Sequence, residues 1–129
     1  MVVRVDAEAE AVVTVYRHYE RVERRLAEMS VTSQSYWVRR FLAWRAETNR
    51  PVLPRLEPVE LSEFVVHEAR RLSVATMRLV VSSLRSFMRF LFASGVTPRN
   101  LSGSVPFLPS LTSWSNAKSR HGVMDPIKI

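Results

Sequence analysis

The run Arg71-Leu72-Ser73-Val74-Ala75-Thr76-Met77-Arg78-Leu79-Val80-Val81-Ser82-Ser83-Leu84-Arg85-Ser86-Phe87-Met88-Arg89-Phe90-Leu91 carries two messages on one helix. Met77, Val80, Val81, Leu84, Phe87, Met88 and Leu91 recur at three- and four-residue spacing, which gathers them on one broad apolar face. Ser73 suits the start, because its hydroxyl can accept from an orphan N–H of the first turn. Gly95 supplies a stop, with Pro98 just beyond it. The second message is a stripe of Arg78, Ser82, Arg85 and Arg89 at offsets of four, three and four. At about 100° per residue these four fall in a narrow sector, well away from the apolar face. No acid on this helix neutralises them, whereas an ordinary solvated helix places Glu at some i+4 positions. Three guanidinium groups and a hydroxyl on one ridge suit contact with phosphates and base edges. The plainer alternative is a solvated basic face.

Outward from this helix, the first ~95 residues read as helical. Leu61, Phe64, Val65 and Ala69 give the preceding helix its apolar side. Pro58 fits its first position, and Glu60 and Glu63 fall in its early turns, at the positive end of the helix dipole. Residues 48–55 hold Pro51 and Pro54 and form a loop. Further back, Val31, Val38, Phe41 and Leu42 mark one face, with Trp37 and Trp44 beside it. Val12, Val15, Tyr16, Tyr19, Val22 and Leu26 mark another. No Gly or Pro separates these two faces, yet one helix across residues 8–47 would be unusually long for a small domain. A turn is therefore expected near residues 25–28. After Gly95 the chain is rich in Ser and Pro, and residues 96–119 read as a linker or tail with a short helical turn after Thr97. The last residues show no periodicity and are expected to be poorly ordered.

The chain has 129 residues and 47% hydrophobic composition, enough for one domain with a real core. There is no Cys, which excludes a disulfide scaffold, a Cys-ligated zinc site and a cysteine nucleophile. The three Gly form no phosphate-cradling loop. His18, His67 and His121 lie far apart in sequence, so no metal site and no cofactor are expected. There is no G-x-S-x-G elbow. Neither a membrane-spanning run nor a signal peptide is visible, so a cytoplasmic, nucleoid-associated protein of bacterial type is expected.

Net charge is +7, from 19 basic and 12 acidic residues. It is uneven: between Glu68 and Asp125 there is no acid, while Arg70, Arg71, Arg78, Arg85, Arg89, Arg99, Lys118 and Arg120 all fall there. A one-sign block of this length points to a polyanionic partner, most often nucleic acid. Arg39, Arg40 and Arg45 add basic groups to the second helix, near Gln34 and Ser35. Trp37 and Trp44 could stack on bases, but amid apolar neighbours they read first as core or subunit contacts.

The ordered pieces Tyr16-Arg17-His18-Tyr19, Arg39-Arg40-Phe41-Leu42-Ala43-Trp44, Arg71-Leu72-Ser73-Val74-Ala75-Thr76 and Leu84-Arg85-Ser86-Phe87-Met88-Arg89-Phe90-Leu91, leading to Gly95-Val96-Thr97-Pro98, resemble the N-terminal core-binding domain of tyrosine recombinases, the phage-integrase family. The resemblance covers roughly residues 12–108. It implies an all-α, four-helix SAM-like bundle at residues 8–108, followed by an irregular tail at 109–129. It also implies one half of a clamp around double-stranded DNA, with the second and fourth helices facing the duplex. The residues expected at DNA are then Arg39, Arg40, Arg45, Arg78, Ser82, Arg85 and Arg89. The turn at Arg25-Leu26 lacks the Gly or Pro usual in the family. The family's strand-cleaving groups sit in a second domain with a nucleophilic Tyr, and the last Tyr here is Tyr36. His67-Glu68-Ala69-Arg70 falls in the wrong domain to replace the family's catalytic H-x-x-R. The expectation is therefore duplex binding associated with recombination or integration, with no strand cleavage and no small-molecule substrate. A helical module docking on full-length recombinase protomers, or a non-functional fragment, is the alternative. An ordinary helix-turn-helix regulator would need a tight Gly-bearing turn that is absent.

Overall fold

The structure is a computed structural model that describes residues 5–106. The tail expected at 109–129 lies outside the described residues. The fold is all-α: α1 (Ala7–Val22), α2 (Glu28–Glu47), α3 (Pro58–Ala69) and α4 (Val74–Ala93), with single 3-10 turns at Leu53–Arg55 and Ser102–Ser104. Among the described residues there is no strand, and no helix is long and apolar enough to cross a membrane.

Local chemistry sets the boundaries. The Asp6 carboxylate accepts the Ala9 N–H at 2.8 Å and starts α1. Ser73 Oγ accepts the Thr76 N–H at 3.2 Å and starts α4, as its sequence position predicts. Pro58 opens α3. Gly95, at φ +77°, carries the chain out of α4 through a left-handed conformation that few other residues tolerate. The turn between α1 and α2 falls at residues 23–27, overlapping the expected 25–28 but beginning two residues earlier. It is made without Gly: Arg25 itself takes φ +54°, and the Leu26 N–H returns to the Glu20 carbonyl at 3.0 Å.

α4 is the hub and packs against α2, α3 and α1. All seven residues of its expected apolar face are buried, together with Ser83, Ser86 and Phe90. Tyr16 of α1 meets Phe87 and Phe90 edge-on, at centroid distances of 5.3 and 5.4 Å. Phe87 is fully buried, so its truncation to Ala would cost about 3–5 kcal/mol. Phe41 and Trp44 of α2 meet Phe64 of α3, which supports the packing reading of Trp44. Trp37 is also buried in this core.

Two sequence expectations are corrected. The inward face of α1 is Val13, Tyr16 and Glu20, whereas Val15 and Val22 are exposed. The face is rotated because a carboxylate, Glu20, is taken inside. The stretch after Gly95 is no free linker as far as residue 106. Thr97, Leu101 and Val105 are buried, and the Ser102–Ser104 turn rests on α3 and α4. Leu101 and Val105 stand four apart in a Ser- and Pro-rich background that disguises them.

Two ion-pair clasps close the bundle around α3. Arg40 of α2 grips Glu68 with Nε and Nη2, both at 2.9 Å, and Arg71 adds a third bond at 2.9 Å. Arg45 of α2 donates to Glu60 at 2.8 Å and to the Pro51 carbonyl at 2.7 Å. The other Glu60 oxygen accepts the Glu57 N–H at 3.1 Å and caps α3. Burial alone would raise the Glu68 carboxyl, but the bonds from Arg40 and Arg71 outweigh it and hold its pKa below the ordinary range.

Two stability predictions follow from these contacts. Glu68→Gln should cost about 2 kcal/mol at pH 7, a discounted figure because Arg40 and Arg71 stay partly in water. A depressed folded-state pKa gives stability that is present above the unfolded value and is lost as pH falls through the folded one. The melting-temperature gap between the wild type and Glu68→Gln should therefore be full at pH 7 and narrow below about pH 4.5; a gap constant from pH 7 to pH 3 would contradict the clasp. Arg25→Gly should raise the melting temperature by a few degrees, since relieving a left-handed non-Gly residue is worth about 1 kcal/mol after the added chain entropy.

Candidate nucleic-acid interface

The α4 stripe becomes one wall of a groove. Arg78, Ser82, Arg85 and Arg89 line a cleft of about 300 Å³ together with Val81 and with Arg24 from the α1–α2 turn. Arg78, Ser82 and Arg89 are exposed and Arg85 is half-buried. No acid lines the cleft. Arg78 and Arg89 meet no acceptor among the described residues. Arg85 Nη2 lies 3.4 and 3.3 Å from the Val105 and Pro106 carbonyls. The segment after α4 therefore turns back toward the ridge.

The expected α2 residues do not join this groove. Arg39 forms a two-pronged pair with Glu10 of α1. Arg40 is engaged by Glu68. Arg45 is only 6% exposed and is paired with the buried Glu60. The acids that claim these arginines lie 15 to 29 residues away in sequence, so local spacing gave no warning.

Arg24 is the residue that sequence spacing missed. It sits in the charge-balanced N-terminal part of the chain, outside any stripe. In the fold its Nη1 donates to Ser86 Oγ of α4 at 2.7 Å and to Glu20 Oε2 at 3.1 Å. Gln34 Oε1 lies farther off, at 3.4 Å. Glu20 is fully buried. The Tyr16 and Ser86 hydroxyls stand 3.0 and 3.3 Å from the same Oε2. Glu20 Oε1 is buried and meets no donor among the described residues. Burial outweighs these bonds and raises the Glu20 carboxyl above the ordinary range. Burial also pushes the Tyr16 hydroxyl far up, so it remains a donor at physiological pH. Among the described residues, no three His, Asp or Glu side chains form a metal-holding group.

Comparison with known proteins agrees with this architecture. Over 113 residues the chain is 28% identical to y4rA of Sinorhizobium fredii (strain NBRC 101917 / NGR234), an inferred integrase/recombinase. The match takes in 86% of this chain but only 28% of that protein, so the chain spans well under a third of this relative's length. No solved structure matches it. The model of the phage integrase N-terminal SAM-like domain matches residues 13–95, from the middle of α1 to the glycine that ends α4. With its four helices in the expected order and that match over more than half of its length, the chain belongs to the phage integrase N-terminal SAM-like domain family.

Proposed function

We propose that this domain binds double-stranded DNA through the α4 ridge, in the service of recombination or integration, and does not itself cleave the strand. The observation that carries the reading is the acid-free groove in which Arg78, Ser82, Arg85 and Arg89 converge. A family role in integration agrees with it. Phosphate contact needs an exposed guanidinium edge that no internal acceptor occupies, and Arg78 and Arg89 offer such edges among the described residues. Arg39 and Arg40 are secondary in this reading, because Glu10 and Glu68 each already occupy two of their guanidinium nitrogens. Cleavage would need an activated nucleophile held beside charge-stabilising donors. The Tyr16 hydroxyl, which stands beside a carboxylate, is buried and spent on Glu20 and Ser86.

Fluorescence anisotropy with a mixed-sequence duplex of ~25 base pairs, titrated at several salt concentrations, tests this reading. Each phosphate contact contributes about −0.9 to the slope of log affinity against log salt. Arg78→Ala and Arg89→Ala should each weaken binding roughly five- to tenfold at 0.1 M salt and flatten the slope by about one unit. Both residues are exposed, so folding stability should move by less than about 0.5 kcal/mol. Equal affinity for the wild type and the doubly substituted protein would overturn the assignment of this face.

A further inference from the structure

Arg24 is held by half of its guanidinium. All its bonds to the bundle converge on Nη1. Nε and Nη2 meet no acceptor among the described residues. Those two nitrogens form the edge by which Arg grips a carboxylate or a phosphate with two parallel bonds. The same chain uses that edge twice elsewhere. Arg40 grips Glu68 with Nε and Nη2, and Arg21 grips Glu28 the same way, at 2.9 and 2.7 Å. In Arg24 the edge is unspent, and the residue lines a groove that holds three other arginines and no acid.

We propose that Arg24 is a phosphate-contact residue of this groove, gripping a DNA phosphodiester with its Nε–Nη2 edge, and that Glu20 and Ser86 are positioning residues that fix its other side. The proposal rests on the duplex-binding reading of the α4 ridge and adds to it a contact from a different element. A free surface Arg loses rotamer entropy when it is immobilised on a ligand. An Arg already fixed by a buried carboxylate has lost part of that freedom on folding. The bond of Arg24 to Ser86 fixes the distance between the α1–α2 turn and α4. Arg24 and the α4 arginines can then meet neighbouring phosphates as one rigid set. Ser86 suits this role because its hydroxyl is buried on α4 and accepts directly from Arg24.

The test replaces both members of the internal pair. Arg24→Gln with Glu20→Gln leaves the net charge of the protein unchanged and strands no unpaired buried ion. Loss of affinity in this double variant cannot come from overall charge. Anisotropy with the same ~25-base-pair duplex should show a roughly five- to tenfold loss at 0.1 M salt and a slope flatter by about 0.9. If Arg78→Ala and Arg89→Ala weaken binding while the double variant matches the wild type in affinity and slope, the Arg24 proposal fails alone. If the wild type itself shows no salt-dependent binding, the duplex reading fails and takes this proposal with it. Should the double variant not fold, by circular dichroism, wild-type protein labelled with 15N decides the matter. Movement of the Arg24 Nε–Hε resonance in parallel with that of Arg89 during duplex titration supports the contact. An unmoved Arg24 resonance beside moving Arg78 and Arg89 resonances overturns it.

Discussion

A carboxylate taken out of water must find its counter-charge inside the protein, and this bundle does so three times. Glu20, Glu60 and Glu68 are all buried, and each is met by an arginine from another helix or turn. Removing one partner of such a pair leaves a stranded ion, which costs far more than an exposed salt bridge contributes. The pairs therefore fix which helices must be neighbours. Glu60 and Glu68 tie α3 to α2, and the Arg24–Glu20–Ser86 cluster ties the α1–α2 turn to α4. The apolar faces supply most of the burial energy, but apolar contact is non-directional. The ion pairs supply the orientation.

The same constraint sorts the arginines. A chain of net charge +7 contains more guanidinium groups than its carboxylates can engage. Arg39, Arg40 and Arg45 stand where acids reach them, and their charge is used to hold the bundle. Arg78 and Arg89 stand on a helix with no acid beside it, and their charge meets no carboxylate among the described residues. A count of basic residues treats all five alike. The division into clasp and ridge comes from where the acids fold to.

This explains which parts of the molecule could be read before folding. The α4 helix was fully legible, because its face, its Ser73 cap, its Gly95 stop and its basic stripe all obey local periodicity. The α1–α2 turn was legible in place, from the length a lone helix can reasonably have, though not in its conformation, which falls on Arg25. The α1 face was misread by a rotation, since a pattern reader puts Glu20 in water and Val15 inside. Residues 96–106 were misread because Leu101 and Val105 are two apolar side chains in a segment whose composition signals a linker. The internal partners of the α2 arginines were hidden for a third reason: a carboxylate 28 residues away, such as Glu68 for Arg40, leaves no trace in local spacing.

Glu20 and Glu68 show how different two buried carboxylates can be. Glu68 has both oxygens satisfied and two guanidinium groups on it, and its pKa falls. Glu20 crowds its donors onto one oxygen, leaves the other without one, and its pKa rises. The first is arranged for stability at neutral pH. The second gives up stability as pH rises through its elevated pKa, because the ionised form is the one the fold disfavours. A site optimised only for packing would place an apolar residue at position 20, and replacing buried ion pairs in that way is often neutral or stabilising. What the carboxylate provides, and a leucine could not, is a fixed acceptor that holds one edge of Arg24 while the other edge stays available at the mouth of the groove. The ionic cost at Glu20 is then the cost of building a rigid cation beside α4, where the core of the bundle and its basic ridge meet.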